Sequence, residues 1–470
     1  MSTKPLSGSE LEDIKLMAQK HFWPHAKPAG DVSTETGLKT ITKGEGVWLF
    51  DENEQPWYDT TSCLWLVNLG HGRTDIADAA YEQMKEVSFT PMGSFSPPTA
   101  KLSGKIATYA PDKESRVFFV SGGAEANETA IKMARKFHIN NGEGTRYKVI
   151  SRRNSYHGAT YATMSMGGGT RPPYEFEPLM PGSVKIANYD SYRLGFGTKS
   201  EEQASEEYAK DLERAILGHN PSTISAFIAE PISTATGIHV PNKAYFQMIR
   251  EICDKYGVLM ISDEVITGFG RTGSWFSINQ WDVTPDIITF AKACTSGYLP
   301  IGGAIATKKI SEAFIGDESK TFTHLMTFGG NPASTAAGVK TMEIMEDEKV
   351  VQNSKEMGDY LMKQLEELNK YDIVGHVRGG KGLLNAVEIV KDKTTKEPFP
   401  DLPKRLGALY NKYKMIGLPS PIGIQLAPPI TVKKEEIDDL VERVESIIKD
   451  LGAKQNQIFL NFKLCQVKIY

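Results

Sequence analysis

Residues 259–271, LMISDEVITGFGR, and residues 285–297, PDIITFAKACTSG, decide the fold of this chain. In each segment a short apolar run ends at a polar side chain, Asp263 in the first and Lys292 in the second. An acid at the end of a buried strand is costly unless a partner compensates its charge. A lysine among small residues, with no carboxylate near it in sequence, can be neutral and nucleophilic. Either residue alone fits an ordinary position, but the pair indicates a site.

Short β-branched runs alternate with helical patterns on both sides of these segments. Uniformly apolar strands are expected when helices cover both faces of a mostly parallel sheet. The sequence therefore predicts an α/β core. Its strands are predicted at residues 117–120, 149–151, 226–229, 259–262 and 287–290.

Both ends of the chain have a pattern of predicted helices and strands that differs from that of the core. A short helix at 9–21 and two strands within 47–58 precede the core. After it come a charged helix, a strand region and an amphipathic helix, at 354–369, 377–390 and 432–451. The pattern of residues 455–470 predicts no particular structure.

These patterns predict two domains. We expect residues 1–73 to form an N-terminal arm and part of a small domain, and residues 74–348 to form a large domain. Residues 349–470 are expected to complete the small domain.

Size and composition narrow the class of protein. A chain of 470 residues exceeds what one hydrophobic core usually organises. Its 40% hydrophobic and 24% charged residues are typical of globular proteins, and its net charge of −4 offers no basic field for nucleic acid. The longest apolar runs are strand-sized, and a signal-peptide pattern is missing. We therefore expect a cytoplasmic protein that binds neither nucleic acid nor membranes.

The four cysteines, Cys63, Cys253, Cys294 and Cys465, are scattered without CxxC spacing. This spacing predicts neither a zinc site nor a disulfide framework. Each cysteine is expected to be a small buried hydrophobe, and no metal site is predicted.

Three further turns follow predicted strands. Residues 121–127, SGGAEAN, open a helix, where free backbone N–H groups and the helix dipole can bind phosphate. Tyr156 and His157 follow the strand at 149–151, and Glu230 follows the strand at 226–229. Each turn alone is a weak signal, because an aromatic residue at a strand end usually belongs to the core and a loop carboxylate is usually solvated.

Together these segments resemble the class III aminotransferases, a family of enzymes that depend on pyridoxal 5'-phosphate (PLP) and have fold type I. The likeness extends from about residue 23 to residue 451. It implies a large domain with a mostly parallel mixed sheet and a small α+β domain built from both chain ends. It also implies that Lys292 holds PLP as a Schiff base, that Asp263 keeps the pyridine nitrogen protonated and that Val265 packs against one ring face.

The same resemblance implies the remaining cofactor contacts. The family motif has a serine where this chain has Ala124, so the phosphate contact there is expected through backbone amides. Tyr156 is implied to stack on the other ring face, and His157 is a candidate to support Asp263. The cofactor-binding residues predicted in this way are Gly122, Gly123, Ala124, Tyr156, His157, Glu230, Asp263, Val265, Lys292, Met326 and Thr327.

Met326 and Thr327 match a family segment whose threonine reaches the phosphate of the neighbouring subunit. The resemblance therefore implies a homodimer with active sites at the interface, and leaves open whether dimers pair into tetramers. The family commonly has histidine where this chain has Asn331.

The substrate residues depart from the family. Many members carry an arginine that holds a substrate carboxylate, and residues 417–429, GLPSPIGIQLAPP, contain none. This favours a less polar primary amine or omega-amino acid as donor, with a keto acid such as pyruvate as acceptor. Trp65 matches an aromatic residue of the family's substrate pocket, although a core tryptophan is an equal interpretation. Tyr156 is a second substrate contact, and Arg171 or serine and backbone donors are candidates to hold the acceptor carboxylate.

The expected activity is therefore a ping-pong aminotransferase reaction, in which Lys292 acts first as nucleophile and then as acid–base group. One alternative is a PLP-dependent racemase, aminomutase or decarboxylase, because the same fold hosts several chemistries. Another is a non-catalytic assembly protein that retains the fold. The natural signature of the latter is loss of the lysine, and Lys292 is present.

Overall fold

The computed structural model describes residues 8–30, 38–168 and 173–467, with the backbone alone for Pro173 and residues 454–467. The strands are β1 Ile41–Glu45, β2 Trp48–Asp51, β3 Pro56–Asp59, β4 Arg116–Val120, β5 Lys148–Arg152, β6 Ser183–Ile186, β7 Ile224–Ala229, β8 Leu259–Asp263, β9 Ile287–Phe290, β10 Gly302–Ala306, β11 Val374–Arg378, β12 Asn385–Asp392, β13 Glu397–Pro398, β14 Met415–Ile416 and β15 Gly423–Leu426.

The α-helices are α1 Gly8–His21, α2 Ser62–Trp65, α3 Thr74–Glu86, α4 Pro97–Tyr109, α5 Gly123–Asn140, α6 Tyr161–Met166, α7 Glu201–Gly218, α8 Lys243–Tyr256, α9 Lys308–Glu312, α10 Pro332–Asp347, α11 Val350–Glu366, α12 Leu402–Lys412 and α13 Lys434–Val467. Short 3₁₀ helices lie at Pro173–Phe176, Pro221–Thr223, Ser277–Trp281, Lys292–Thr295, Glu318–Lys320 and Glu367–Lys370.

A seven-stranded sheet of order β4-β10-β9-β8-β7-β5-β6 forms the centre of the molecule. Only β10 runs antiparallel to its neighbours in this sheet. Strands β7, β8, β9 and β10 are buried along their whole length, and α5 packs on β9 and β10. Apolar side chains point to both faces of these strands because helices cover both, which confirms the predicted α/β core.

The parallel strands β5, β7, β8 and β9 are neighbours, so their carboxyl ends lie at one edge of the sheet. Ligands of open α/β sheets bind outside this edge, because the loops that leave the strands converge there. Asp263 is the last residue of β8, Glu230 follows β7, and Lys292 stands two residues beyond β9. The topology thus gathers side chains that lie far apart in sequence.

The two chain ends meet in a second sheet of order β1-β2-β3-β14. Its strand β14 pairs in parallel with β3, at Met415 with Tyr58 and at Ile416 with Asp59. Strands β11, β12, β13 and β15 form a further sheet, and α11 packs against α13. The predicted domain boundaries after residues 73 and 348 stay a prediction.

Helix α13 is longer than the sequence pattern predicts. We expected the terminal helix to end near residue 451, but its backbone continues to Val467. Gly452 alone does not stop it, since a single glycine costs only about 1 kcal/mol in a helix and no proline follows. Residues 455–467, for which the sequence predicts no structure, thus belong to this helix.

The fully buried Arg271 joins the core to both chain ends. Its Nη1 donates to the carbonyl oxygens of Leu383 at 3.1 Å and Pro428 at 2.5 Å. Its Nη2 donates to Ser62 Oγ at 2.9 Å and Asn68 Oδ1 at 2.5 Å. Burying a guanidinium is costly unless its donors find acceptors, and here both Nη atoms find two each. These four acceptors come from the N-terminal and C-terminal segments, so one side chain holds three parts of the chain together.

Among the helices that the structure describes, none combines the length with the apolar composition that a membrane crossing requires.

Replacing Arg271 by methionine should lower the free energy of unfolding by about 2–5 kcal/mol, because four buried acceptors lose their donor. The measurement is urea denaturation followed by circular dichroism. Arg214→Met is the matched control: this arginine pairs with Glu207 on the exposed face of α7, and its loss should change stability by about 0.5 kcal/mol or less. Equal denaturation midpoints for the two variants would contradict the role assigned to Arg271.

Candidate active site

A cavity of about 240 Å³ opens at the carboxyl edge of the central sheet. It brings together eight of the predicted site residues, from the start of α5 and from the ends of β5, β7, β8 and β9. Its lining residues are Gly123, Ala124, Asn127, Tyr156, His157, Gly158, Ala159, Glu230, Ile232, Thr234, Asp263, Val265, Ile266, Thr267 and Lys292.

The Asp263 carboxylate is 4% exposed and accepts three hydrogen bonds. His157 Nδ1 lies 2.7 Å from Oδ2, and Asn127 Nδ2 donates to the same oxygen at 2.8 Å. The backbone N–H of Val265 donates to Oδ1 at 3.1 Å. Because these donors stabilise the anion, the strand-end acid is compensated inside the protein and Oδ1 keeps capacity to accept from a ligand.

Sequence reasoning missed two residues that orient this carboxylate. Asn127 Nδ2 also donates to the carbonyl oxygen of His157 at 2.7 Å, and Thr289 Oγ1 donates to Asn127 Oδ1 at 2.7 Å. Thr289 lies on β9 directly opposite Asp263. Asn127 stands in the motif SGGAEAN, so its position in the first turn of a helix was visible, but its partner was not.

Lys292 begins a 3₁₀ helix two residues beyond the end of β9 and lines the cavity. Its φ of 41° lies in the left-handed region, which a side chain rarely adopts and which is commonly found at functional sites. Burial lowers the pKa of Lys292 to about 8, although Asp263 and Glu230 act to raise it. A substantial fraction of this amine is therefore neutral near physiological pH, as a nucleophile requires.

Glu230 is buried beside His157 in the same cavity. Burial raises the pKa of its carboxyl group, although the neighbouring His157 and Arg152 lower it. Ser233 Oγ donates to Glu230 Oε2 at 3.2 Å, and Arg152 Nη2 donates to the Glu230 carbonyl oxygen. Within the described residues, Glu230 Oε1 and His157 Nε2 are buried without a hydrogen-bond partner. Buried polar atoms are nearly always paired, so two orphans on one cavity indicate a polar ligand.

The first turn of α5 forms another part of the cavity wall and packs closely against Val265. A Cβ atom on Gly123 would lie 2.7 Å from Val265 Cγ1, so only glycine lets the helix approach this side chain. Within the described part of the chain no side-chain hydrogen bond caps α5, which leaves its first N–H groups for an anion. A phosphate cradle, a carboxylate and a neutral lysine are the donor set that PLP requires, and the residues present fit that cofactor.

The other predicted residues lie elsewhere. Trp65 is 5% exposed within the core and is not among the residues that line the cavity. Met326 and Thr327 lie in the loop before α10, outside the lining, and Gly122 directly precedes α5. Arg171 lies outside the described residues. The functional roles of all these positions stay predictions.

Comparison with known proteins agrees with this geometry. The family model described as aminotransferase class-III matches residues 30–448. Putrescine–pyruvate aminotransferase of Pseudomonas aeruginosa is 36% identical over 95% of this chain and 98% of its own, and taurine–pyruvate aminotransferase of Bilophila wadsworthia is 36% identical over 94% and 98%. The crystal structure of an (S)-enantioselective omega-transaminase from Thermomicrobium roseum superposes with a TM-score of 0.89 at 36% identity, covering 95% of this chain and 100% of that one.

The chain therefore belongs to the class III aminotransferases, with the fold type I architecture that the sequence predicted. It is a PLP-dependent aminotransferase of the omega-transaminase type.

Attachment of PLP to the apoenzyme should follow the titration of Lys292, because only the neutral amine attacks an aldehyde. The attachment rate should rise with pH around a midpoint of about 8. At that pH the neutral fraction of an ordinary lysine is roughly a hundredfold smaller than that of Lys292. Stopped-flow absorbance between pH 6 and pH 10 measures this rate, with a lysine peptide as the reference for the titration of PLP itself. Equal midpoints for protein and peptide would refute the lowered pKa.

Proposed function

We propose that this enzyme transfers the amino group of a small, weakly polar primary amine or omega-amino acid to pyruvate. The observation that carries the proposal is the cavity itself, where Lys292 and Asp263 share one space with the apolar side chains of Ile232 and Ile266. Residues 417–429 offer no arginine for a second carboxylate. Two relatives named for different donors, putrescine and taurine, are both named for pyruvate as acceptor, which supports this acceptor.

Four groups of the cavity would hold the cofactor. Backbone N–H groups at Gly123 and Ala124 are proposed to bind its phosphate, Tyr156 and Val265 to contact its ring, and Asp263 to pair with its protonated ring nitrogen. When bound, PLP supplies an electron sink for the negative charge that develops on the substrate carbon.

Lys292 is proposed to carry the proton transfers. Its neutral Nζ would accept the proton that the amine-bearing carbon of the donor loses, and the resulting ammonium group would deliver that proton to the aldehyde carbon of the cofactor within the same half-reaction. The half-reaction with the acceptor would use the same two transfers in reverse. The nearby carboxylates of Asp263 and Glu230 stabilise this ammonium group. The Asn127 and Val265 donors and the His157 ring hold the Asp263 carboxylate in place.

We also propose that the active unit is a homodimer. Thr327 lies in an exposed loop between Leu325 and Phe328, which are 72% and 63% exposed. Phe89 contacts Phe328 edge-to-face, with ring centroids 6.2 Å apart, and is itself exposed. An apolar surface of this kind favours a protein interface, and the loop would carry Thr327 to the phosphate of the partner. Tetramer formation and a cytoplasmic location stay predictions from the sequence.

The reaction class is tested by adding 1-phenylethylamine and then pyruvate to the purified holoenzyme. The visible absorbance of the bound cofactor should disappear with the amine and return with pyruvate, and Lys292→Ala should show neither change. Lys185→Met is the matched control, because burial lowers the pKa of Lys185 to about 7 while its Nζ donates to Ser151 Oγ at 2.8 Å, and it does not line the cavity. A visible absorbance band that is present but that no amine of a broad panel bleaches would indicate a racemase or lyase.

The shared site is tested by coexpressing Lys292→Ala and Thr327→Ala subunits. Each variant alone should be impaired, the first in chemistry and the second in PLP retention by about tenfold or more, since a hydrogen bond to a charged group is lost. A mixed dimer contains one site with an intact Lys292 and an intact Thr327 from its partner. Activity at limiting PLP should therefore return in the mixture. No return in an isolated mixed dimer would mean that Thr327 does not serve the partner's site.

A further inference from the structure

Asp59, Cys63 and His71 bring three metal-ligating atoms together outside the active-site cavity. Asp59 Oδ2 lies 2.9 Å from His71 Nε2 and 3.5 Å from Cys63 Sγ, and the sulfur lies 3.9 Å from the same nitrogen. Cys253 and Cys294 are buried hydrophobes as the sequence predicts, but Cys63 is only half-buried and faces two polar partners. The thiol therefore occupies a different environment from the one expected.

The three ligand atoms lie close enough together to surround one tetrahedral ion. Zinc binds sulfur, nitrogen and oxygen at about 2.0–2.3 Å, which places neighbouring ligand atoms about 3.3–3.6 Å apart. Each observed separation lies within a few tenths of an ångström of that range. Without an ion the same atoms form hydrogen bonds, since Asp59 Oδ2 lies 2.9 Å from His71 Nε2 and accepts from Cys63 Sγ at 3.5 Å.

Each ligand is anchored by a different part of the fold. Asp59 pairs with Ile416 in the sheet of the two chain ends, and its carboxylate accepts the backbone N–H of Cys63 at 2.8 Å. His71 exchanges two backbone hydrogen bonds with Gly46, at 2.9 and 3.1 Å. A binding constellation whose members are separately held is preorganised, so an ion can bind without rearranging the chain.

The backbone that presents the thiol is strained. Cys63 has φ 59° and ψ −91°, and its neighbours Ser62 and Trp65 have φ values of 48° and 65°. Such conformations cost of order 1–3 kcal/mol each and persist only where surrounding contacts impose them. Here Ser62 Oγ donates to the Ala427 carbonyl oxygen at 2.7 Å and accepts from Arg271. These contacts hold the Cys63 side chain toward Asp59 and His71.

We propose that Asp59, Cys63 and His71 bind a divalent transition-metal ion of the zinc class, with a fourth position left for water. A thiolate with an imidazole selects such an ion over magnesium or calcium, which prefer oxygen ligands alone. Binding releases the thiol proton to solvent as the sulfur–metal bond forms. His71 also lines a surface cavity of about 450 Å³, which gives the ion a route to the site.

The site is tested on the holoenzyme after dialysis against a chelator. Equilibrium dialysis with Zn²⁺ should show one ion bound per chain, and Co²⁺ should give the near-ultraviolet charge-transfer band of a thiolate ligand. Cys63→Gly should abolish both signals while keeping the fold, because glycine adopts a positive φ without strain. His71→Gln should abolish the stoichiometric zinc binding.

His25→Gln is the matched control, because His25 is exposed and distant in sequence from the cluster. It should bind zinc as the parent does, which separates the site from general binding to surface histidines. Two results would overturn the proposal: no stoichiometric binding by the parent, or the same binding and the same cobalt spectrum in Cys63→Gly. Neither result depends on aminotransferase activity.

Discussion

The buried carboxylate of Asp263 is the charge around which the active site is built. A desolvated anion is stable only if donors replace the water it has lost, and its donors come from three places. Asn127 extends from the start of α5, His157 follows β5, and the N–H of Val265 belongs to the turn after β8 itself. These elements must therefore meet at one edge of the sheet. The parallel order of β5, β7, β8 and β9 makes that meeting possible.

The same edge explains how one lysine becomes reactive. Burial lowers the pKa of Lys292, while the nearby Asp263 and Glu230 keep its ammonium form accessible, so the group can both lose and hold a proton near neutral pH. Arg271 provides the stability on which this arrangement depends. It follows the β8 turn and binds acceptors from both chain ends, and one of these, Ser62, lies beside the strained Cys63. The hydrogen bonds of Arg271 thus connect the core to both chain ends and to the residue beside the proposed metal site.

Much of the fold and of the candidate site could be predicted from local sequence patterns. The strands of the core, the helix at the N-terminus and the positions of Asp263 and Lys292 follow from apolar runs and the residues that end them. The length of α13 could not be predicted, because the pattern weakens after Leu451 and only the continued backbone shows the helix. Nor could the partner of Asn127, since Thr289 lies 162 positions away and meets it through the packing of α5 on β9.

The sequence by itself indicated the class of enzyme, because a strand-end acid, a lysine after the next strand and a glycine-rich helix start together resemble the class III aminotransferases. Tertiary structure decided how those groups are tuned and what else they meet. It sets the pKa of Lys292 through burial and places Cys63 beside Asp59 and His71. Among the residues that the structure describes, it also leaves His157 Nε2 without a hydrogen-bond partner. The burial of Lys292 and the meeting of these side chains depend on residues that lie far apart in the chain, so no local sequence pattern predicts them.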